Sequence, residues 1–382
     1  MYQASSDDVK RWTAFQNLCV MLAPVATGPL SDPGGWDWEA FVALASAHFV
    51  SPTLAGPVER LAFAPDEVKS YFNTLRAMNA QRNVVILRAL AEALAALRVI
   101  GIEGILLKGA ASLVSGLYDD PAERILGDVD LLVQPGKIDN AAKLLQTMGY
   151  ALPPLPPVER RWVVRSPERS PLRIPHHIPI LIHSETGVGI ELHSSLAASE
   201  FRSMLPPADV FERAVAIEWN GQDVLVLSPT DRVVHNIVHE LLHHAGATRG
   251  VVAIRQLREL ARIVARHGHA VDWENVERRF LKGGHADVLR ERAAICPALM
   301  GVHMPVEQAD SAKEVNRLRA NMLRSPLDAV RWSVWTKLSA LSEVYFKSFA
   351  RDPLLAINFL NPRWWPNRLR GIWRFLNDNK LL

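Results

Sequence analysis

Three acidic residues set the chemical question. In RILGDVDLLV, residues 124–133, Asp128 and Asp130 flank one valine and run into three apolar residues. Side chains on a strand alternate between faces, so the sequence predicts both carboxylates on one side and Val129 on the other. Two such carboxylates make a hard-cation site, because magnesium (or manganese) takes oxygen ligands and is usually held by one or two carboxylates plus substrate phosphates. Glu191, in GIELH, alternates with apolar Ile190 and Leu192. It completes a three-acid set if its strand neighbours that of Asp128 and Asp130. A DxD taken alone fits a solvated or capping role equally well.

The elements that must carry these acids follow from periodicity. From Trp38 to about Arg98 the apolar residues recur at three and four spacing and close on Gly101, which predicts a helical region over 1–100. The texture then changes. Gly104–Leu107 reads as a short buried strand, the next small residues as a helix, and RILGDVDLLV as a second strand. KIDNAAKLLQTMGYAL predicts a helix closing on Gly149, and HHIPILIH with VGIELHSSL, joined by SETG, predicts an antiparallel hairpin. After Pro229 a long helical texture begins, with Thr230 as expected N-cap and Asp231 in the first turn. The expected architecture is α+β: a small mixed or antiparallel sheet over 101–228, flanked by helical regions at 1–100 and 229–382.

These residues, as an ordered set, resemble the bacterial nucleotidyltransferase-like proteins of the polymerase-beta superfamily. The resemblance rests on Leu107-Lys108-Gly109-Ala110, on Tyr118 with Pro121 and Arg124, on Asp128-Val129-Asp130-Leu131-Leu132-Val133, and on Glu191-Leu192-His193. It runs from about Trp38 to Met304. It implies a polymerase-beta-like core, divalent metal on Asp128, Asp130 and Glu191, and a nucleotide whose triphosphate rests on the turn at Lys108 and Gly109. Arg124, Ser112 and His193 join that nucleotide-binding set. Phosphoryl and nucleotidyl transfer need mainly positioning and charge, with Arg as a bidentate phosphate ligand and Lys as a point charge. The competing reading for Arg124 is an ion pair with Asp119, Asp120 or Glu123.

The implied activity is metal-dependent nucleotidyl transfer from an NTP to an acceptor that is a small molecule, a peptide or a protein. Two alternatives stand beside it. The same metal–diphosphate site fits a nucleotide-sugar donor and glycosyl transfer. Gly109-Ala110, where the superfamily has Gly-Ser or Gly-Gly, keeps open a degenerate module that binds nucleotide or protein without turnover.

A second motif competes. His239-Glu240-Leu241-Leu242-His243 matches HExxH, in which two histidines one helical turn apart bind zinc and the glutamate is general base. Gly246 stands where a metzincin has glycine, but Arg249 occupies the third-histidine position, and a gluzincin would need Glu259 instead. His235, His239 and His243 repeat at four-residue steps, so the favoured expectation is a helix packed under the sheet, with histidines in the core or near the phosphate pocket.

Composition narrows the rest. With 382 residues, 49% hydrophobic and 22% charged, the chain reads as an ordinary globular protein rather than a disordered one. A net charge of +3 argues against a general nucleic-acid partner, so anion sites must be local. Two distant cysteines, Cys19 and Cys296, allow no disulfide framework, and Asp7, Asp8, Lys10 and Arg11 sit where a secretory signal needs apolar residues. The expectation is cytoplasmic. Two basic stretches remain. Five arginines against two glutamates over 159–173 suit an anionic acceptor or a solvated loop. The tail with Arg363, Arg368, Arg370 and Arg374 among Trp364, Trp365 and Trp373 suits packing on the protein ahead of a membrane surface or nucleic acid.

Overall fold

The computed structural model describes residues 6–134, 136–152, 177–243 and 252–322. The basic stretches at 159–173 and 363–374 lie outside them. Residues Met1–Arg319 cluster into one unit and Ala320–Leu382 into a second.

The first unit opens with helices α1 (Ser6–Leu22), α2 (Trp38–Ala47), α3 (Ala55–Glu59) and α4 (Asp66–Val99), packed around Phe15, Phe41 and Phe72. A seven-stranded mixed sheet follows: β1 (Gly104–Leu106), β2 (Val129–Val133), β3 (Tyr150–Ala151), β4 (Leu181–His183), β5 (Gly189–His193), β6 (Val215–Trp219) and β7 (Gln222–Val226), in the order β3-β4-β5-β2-β1-β7-β6. β1 runs antiparallel to β2 and parallel to β7, and β2 runs parallel to β5. Every residue of β1 and β2 is buried, as expected for central strands with both faces covered. Between strands lie α5 (Lys108–Val114), α6 (Ile138–Thr147) and α7 (Pro207–Glu212). The sheet is followed by α8 (Pro229–Ile237), which continues as a π-helix over Val238–His243, and by α9 (Ile254–His267), α10 (Trp273–Lys282), α11 (Ala286–Met300) and α12 (Ser311–Met322).

The predicted hairpin is present as β4 and β5, with Leu181 opposite Ile190, and β3 extends it at the edge. A second hairpin, β6–β7, is absent from the sequence expectation, although Asn220-Gly221 signals it. Both residues have positive φ, 51° and 73°, as a type I′ turn requires. The expected cap of α8 is corrected: Ser228, not Thr230, accepts the Asp231 N–H, and Pro229 then takes the first helical position. Thr230 Oγ1 instead accepts the Asp272 N–H at 2.9 Å, tying α8 to the start of α10. No helix among the described residues is long and apolar enough to cross a membrane.

Candidate metal and phosphate site

The acids meet because β2 and β5 are neighbours in register. Asp130 pairs with Glu191 and Leu132 with His193, so the alternation of each strand puts Asp130, Glu191 and His193 on one face. One ligand atom from each lies within 4.8 Å of the others. His193 Nε2 is 2.9 Å from Asp130 Oδ1 and 3.2 Å from Glu191 Oε2, and His177 Nδ1 is 2.6 Å from Glu191 Oε1. Burial pushes the Asp130 carboxyl up, but the hydrogen bond from His193 and the Lys108 charge outweigh it and hold the group well below the usual carboxylate range. Burial likewise presses His193 down, while its bonds to Asp130 and Glu191 raise it above the ordinary imidazole value.

Asp128 departs from the expectation. It lies in the bend before β2, outside the strand whose alternation was to align it, and it is not one of the three groups whose ligand atoms converge. Its charge still couples to them: burial first, then Asp130 and Glu191, push its carboxyl up. Lys108, the first residue of α5, has φ of 47°, uncommon outside glycine, and its Nζ lies 2.6 Å from Asp130 Oδ1.

Arg124 reaches its place through α4. Asn79 and Asn83, four residues apart and buried on one face of that helix, donate to the carbonyls of Pro121, Ala122 and Arg124 at 2.7–3.1 Å, while Arg82 donates to those of Leu126 and Gly127. Thus held, Arg124 meets neither Asp119, Asp120 nor Glu123. Its Nε donates to Glu259 Oε2 of α9 at 2.8 Å, with both side chains buried. Burial opposes the charge, yet Glu259 raises the guanidinium above its ordinary value. Gly109 makes room for it, since a Cβ there would stand 2.7 Å from Leu126 Cδ2 and 3.0 Å from Arg124 Cζ.

Beneath α5 opens a cavity of about 70 Å³ whose walls include Lys108, Ser112, Arg124, Arg232, Arg255 and Glu259. Residues 35–301 match the family described as uncharacterised nucleotidyltransferase. The chain belongs to that family. The matched range contains every residue of the site just described. An antigenic nucleotidyltransferase-like protein from Paracoccidioides brasiliensis is similar at 16% identity and a TM-score of 0.31, over 58% of this chain and 93% of that one. No curated protein matches.

In the HExxH stretch the described residues are engaged otherwise than a zinc site requires. Val238–His243 is π-helical, so residues four apart do not stack as they do one α-turn apart. Glu240, the would-be base, is buried against Arg292 of α11 at 3.0 Å and accepts the Ala253 N–H at 2.9 Å. His235 and His239 line the cavity under α5, their rings 5.8 Å apart, and the side chain of His243 lies outside the described residues. Burial pulls His235 down to about 3, so it stays neutral. Ser112, expected at the nucleotide, lies in the same cavity wall. Sequence reasoning missed His177, Arg232 and Arg255; HHIP pointed to the first, and no local signal marks the other two.

Proposed function

We propose that this chain is a divalent-metal-dependent nucleotidyltransferase that moves a nucleotidyl group from an NTP to an acceptor hydroxyl or comparable nucleophile. The observation that carries the reading is the in-register pair Asp130–Glu191 on parallel neighbouring strands, with His193 on the same face. This donor set fits a divalent cation: two carboxylates converge in a mostly buried site, and Asp128 stands at the strand end to add a third. The imidazole nitrogen of His193 suits manganese better than a purely oxygen-seeking ion. When bound, such a metal would neutralise phosphate oxygens and orient attacking and leaving groups.

The chain's own side chains do the remaining work. Lys108, Arg124 and the turn at Gly109 would take phosphate oxygens, and Glu259 and the Ile125 carbonyl, which accept from Nε and Nη1 of Arg124, fix the guanidinium plane and leave Nη2 for the ligand. His193, bonded to both Asp130 and Glu191, keeps the two carboxylates at a fixed spacing. Incubation with each NTP and magnesium or manganese should release pyrophosphate. A nucleoside diphosphate released from nucleotide sugars, with no pyrophosphate from any NTP, would replace this reading with glycosyl transfer.

One observation favours a second reading. The Lys108 ammonium already sits on Asp130, where a metal would bind, as in a degenerate module that binds nucleotide without turnover. Binding of NTP that is unaffected by chelators, with neither product formed, would select it.

A further inference from the structure

Two guanidiniums in the cavity under α5 lack a carboxylate of their own. Lys108 is engaged by Asp130 and Arg124 by Glu259. Arg232, from α8, is 7% exposed, and its Nη1 and Nη2 donate to Ser115 Oγ at 3.1 Å and Ser112 Oγ at 3.4 Å. Arg255, from α9, lies over the Phe49 ring at 5.3 Å, and its buried Nε has no hydrogen-bond partner. Neither guanidinium has a carboxylate within ion-pair distance among the described residues. Burial works against both charges, and with the neighbouring Arg124 it brings Arg255 down to about 10. A buried or half-buried charge without a counter-ion is costly, so a cavity that keeps two of them in its lining is shaped for an anion that arrives from outside.

We propose that this cavity is a phosphate site, in which Arg232 and Arg255 hold a phosphate dianion or a phosphoryl group with Arg124 at its edge. Lys108, Arg124, Arg232 and Arg255 outnumber Glu259 in the lining, so the cavity carries a net positive charge that suits a dianion. The planar forks of arginine suit bidentate contact with its oxygens. The volume of about 70 Å³ is ample for a compact oxyanion. Lys108 connects the two centres, since it lines the cavity and also touches Asp130. The phosphate can come from the far end of a donor triphosphate or from a phosphorylated acceptor. The site itself requires neither metal nor turnover, so it stands or falls apart from the nucleotidyl-transfer reading.

The test is calorimetric titration of the full chain with inorganic phosphate, without metal or nucleotide, supported by phosphorus NMR. Saturable one-to-one binding is expected. Arg232→Gln and Arg255→Gln should each weaken it about tenfold or more, the effect of losing charge-assisted hydrogen bonds. Arg255 is only half-buried, so its variant tests the site even if the Arg232 variant fails to fold. Arg88→Gln, an exposed arginine of α4 outside the cavity, should keep the phosphate affinity. With the site established, displacement of phosphate by ATP assigns it to the donor, and simultaneous binding of both assigns it to the acceptor. No saturable binding by the wild-type chain, or binding that both arginine variants retain, overturns the proposal.

Discussion

Replacing Arg292 by methionine separates the structural from the catalytic reading of the HELLH segment. Arg292 and Glu240 have side chains 1% and 4% exposed and lie 3.0 Å apart, and Glu240 also accepts the Ala253 N–H. Removing one member of a buried pair costs about 3–5 kcal/mol because the other charge stays behind. Unfolding entropy of about 2.1 cal/mol/K per residue, over the unit that ends at Arg319, converts this to a fall in Tm of about 5–8 °C. Burial already pushes the Glu240 carboxyl up, and Arg292 pulls it back. Without Arg292 the folded-state pKa rises further above the unfolded one, so the native state takes up a proton and the destabilisation grows as pH rises. Arg292→Met should therefore lose more stability at pH 8 than at pH 5, measured by urea unfolding. Adding Glu240→Gln should recover most of the loss, because the carboxylate is gone and two Arg292 nitrogens, Nε and Nη1, lack hydrogen-bond partners even in the parent. A loss below about 1 kcal/mol at both pH values, where the principle asks for 3–5, would refute the structural reading.

Asp130→Asn should abolish pyrophosphate release while the protein keeps its circular dichroism spectrum; retained turnover would remove Asp130 from the metal site. Gly109→Ala should cost about 1–3 kcal/mol by overpacking Leu126 and Arg124, and should shift Arg124 off Glu259, visible as weakened NTP binding in a fluorescence titration. Asp231 is fully buried between Arg213 and Arg279, and although burial raises its pKa, the bonds from both arginines lower it further, below the ordinary value. Its stabilisation is present above the unfolded carboxylate pKa and is lost as pH falls through the depressed folded one. Asp231→Asn should accordingly flatten the acid limb of the stability curve and cost about 1.5–3 kcal/mol at pH 7, read by calorimetry.

The acidic strand was legible because its signals are local. Asp130 sits in an apolar run that only a central strand accommodates, and Glu191 and His193 alternate with buried Ile190 and Leu192. The strand boundary was not legible, and a shift of one residue left Asp128 in a bend. The partner of Arg124 lies 135 residues away on a helix, and in sequence Glu259 is one acid among many on an amphipathic surface. Arg232 and Arg255 were hidden for the same reason: nothing local separates an arginine aimed into a cavity from one aimed at water. The histidine stripe of the HELLH motif marks it as structural, but its π-helical backbone was not legible, because the spacing presumes an α-helix.

The two asparagines of α4 bear on where this protein can be divided. The carbonyls of residues 121–124 are satisfied by Asn79 and Asn83. A fragment beginning near Gly101 would retain all three acids and the lysine, yet it would expose those carbonyls to solvent and release the arm that carries Arg124. The shortest autonomous piece of this nucleotidyltransferase family member therefore extends upstream through α4, and grafting the sheet alone onto another protein would transplant the carboxylates without the arginine.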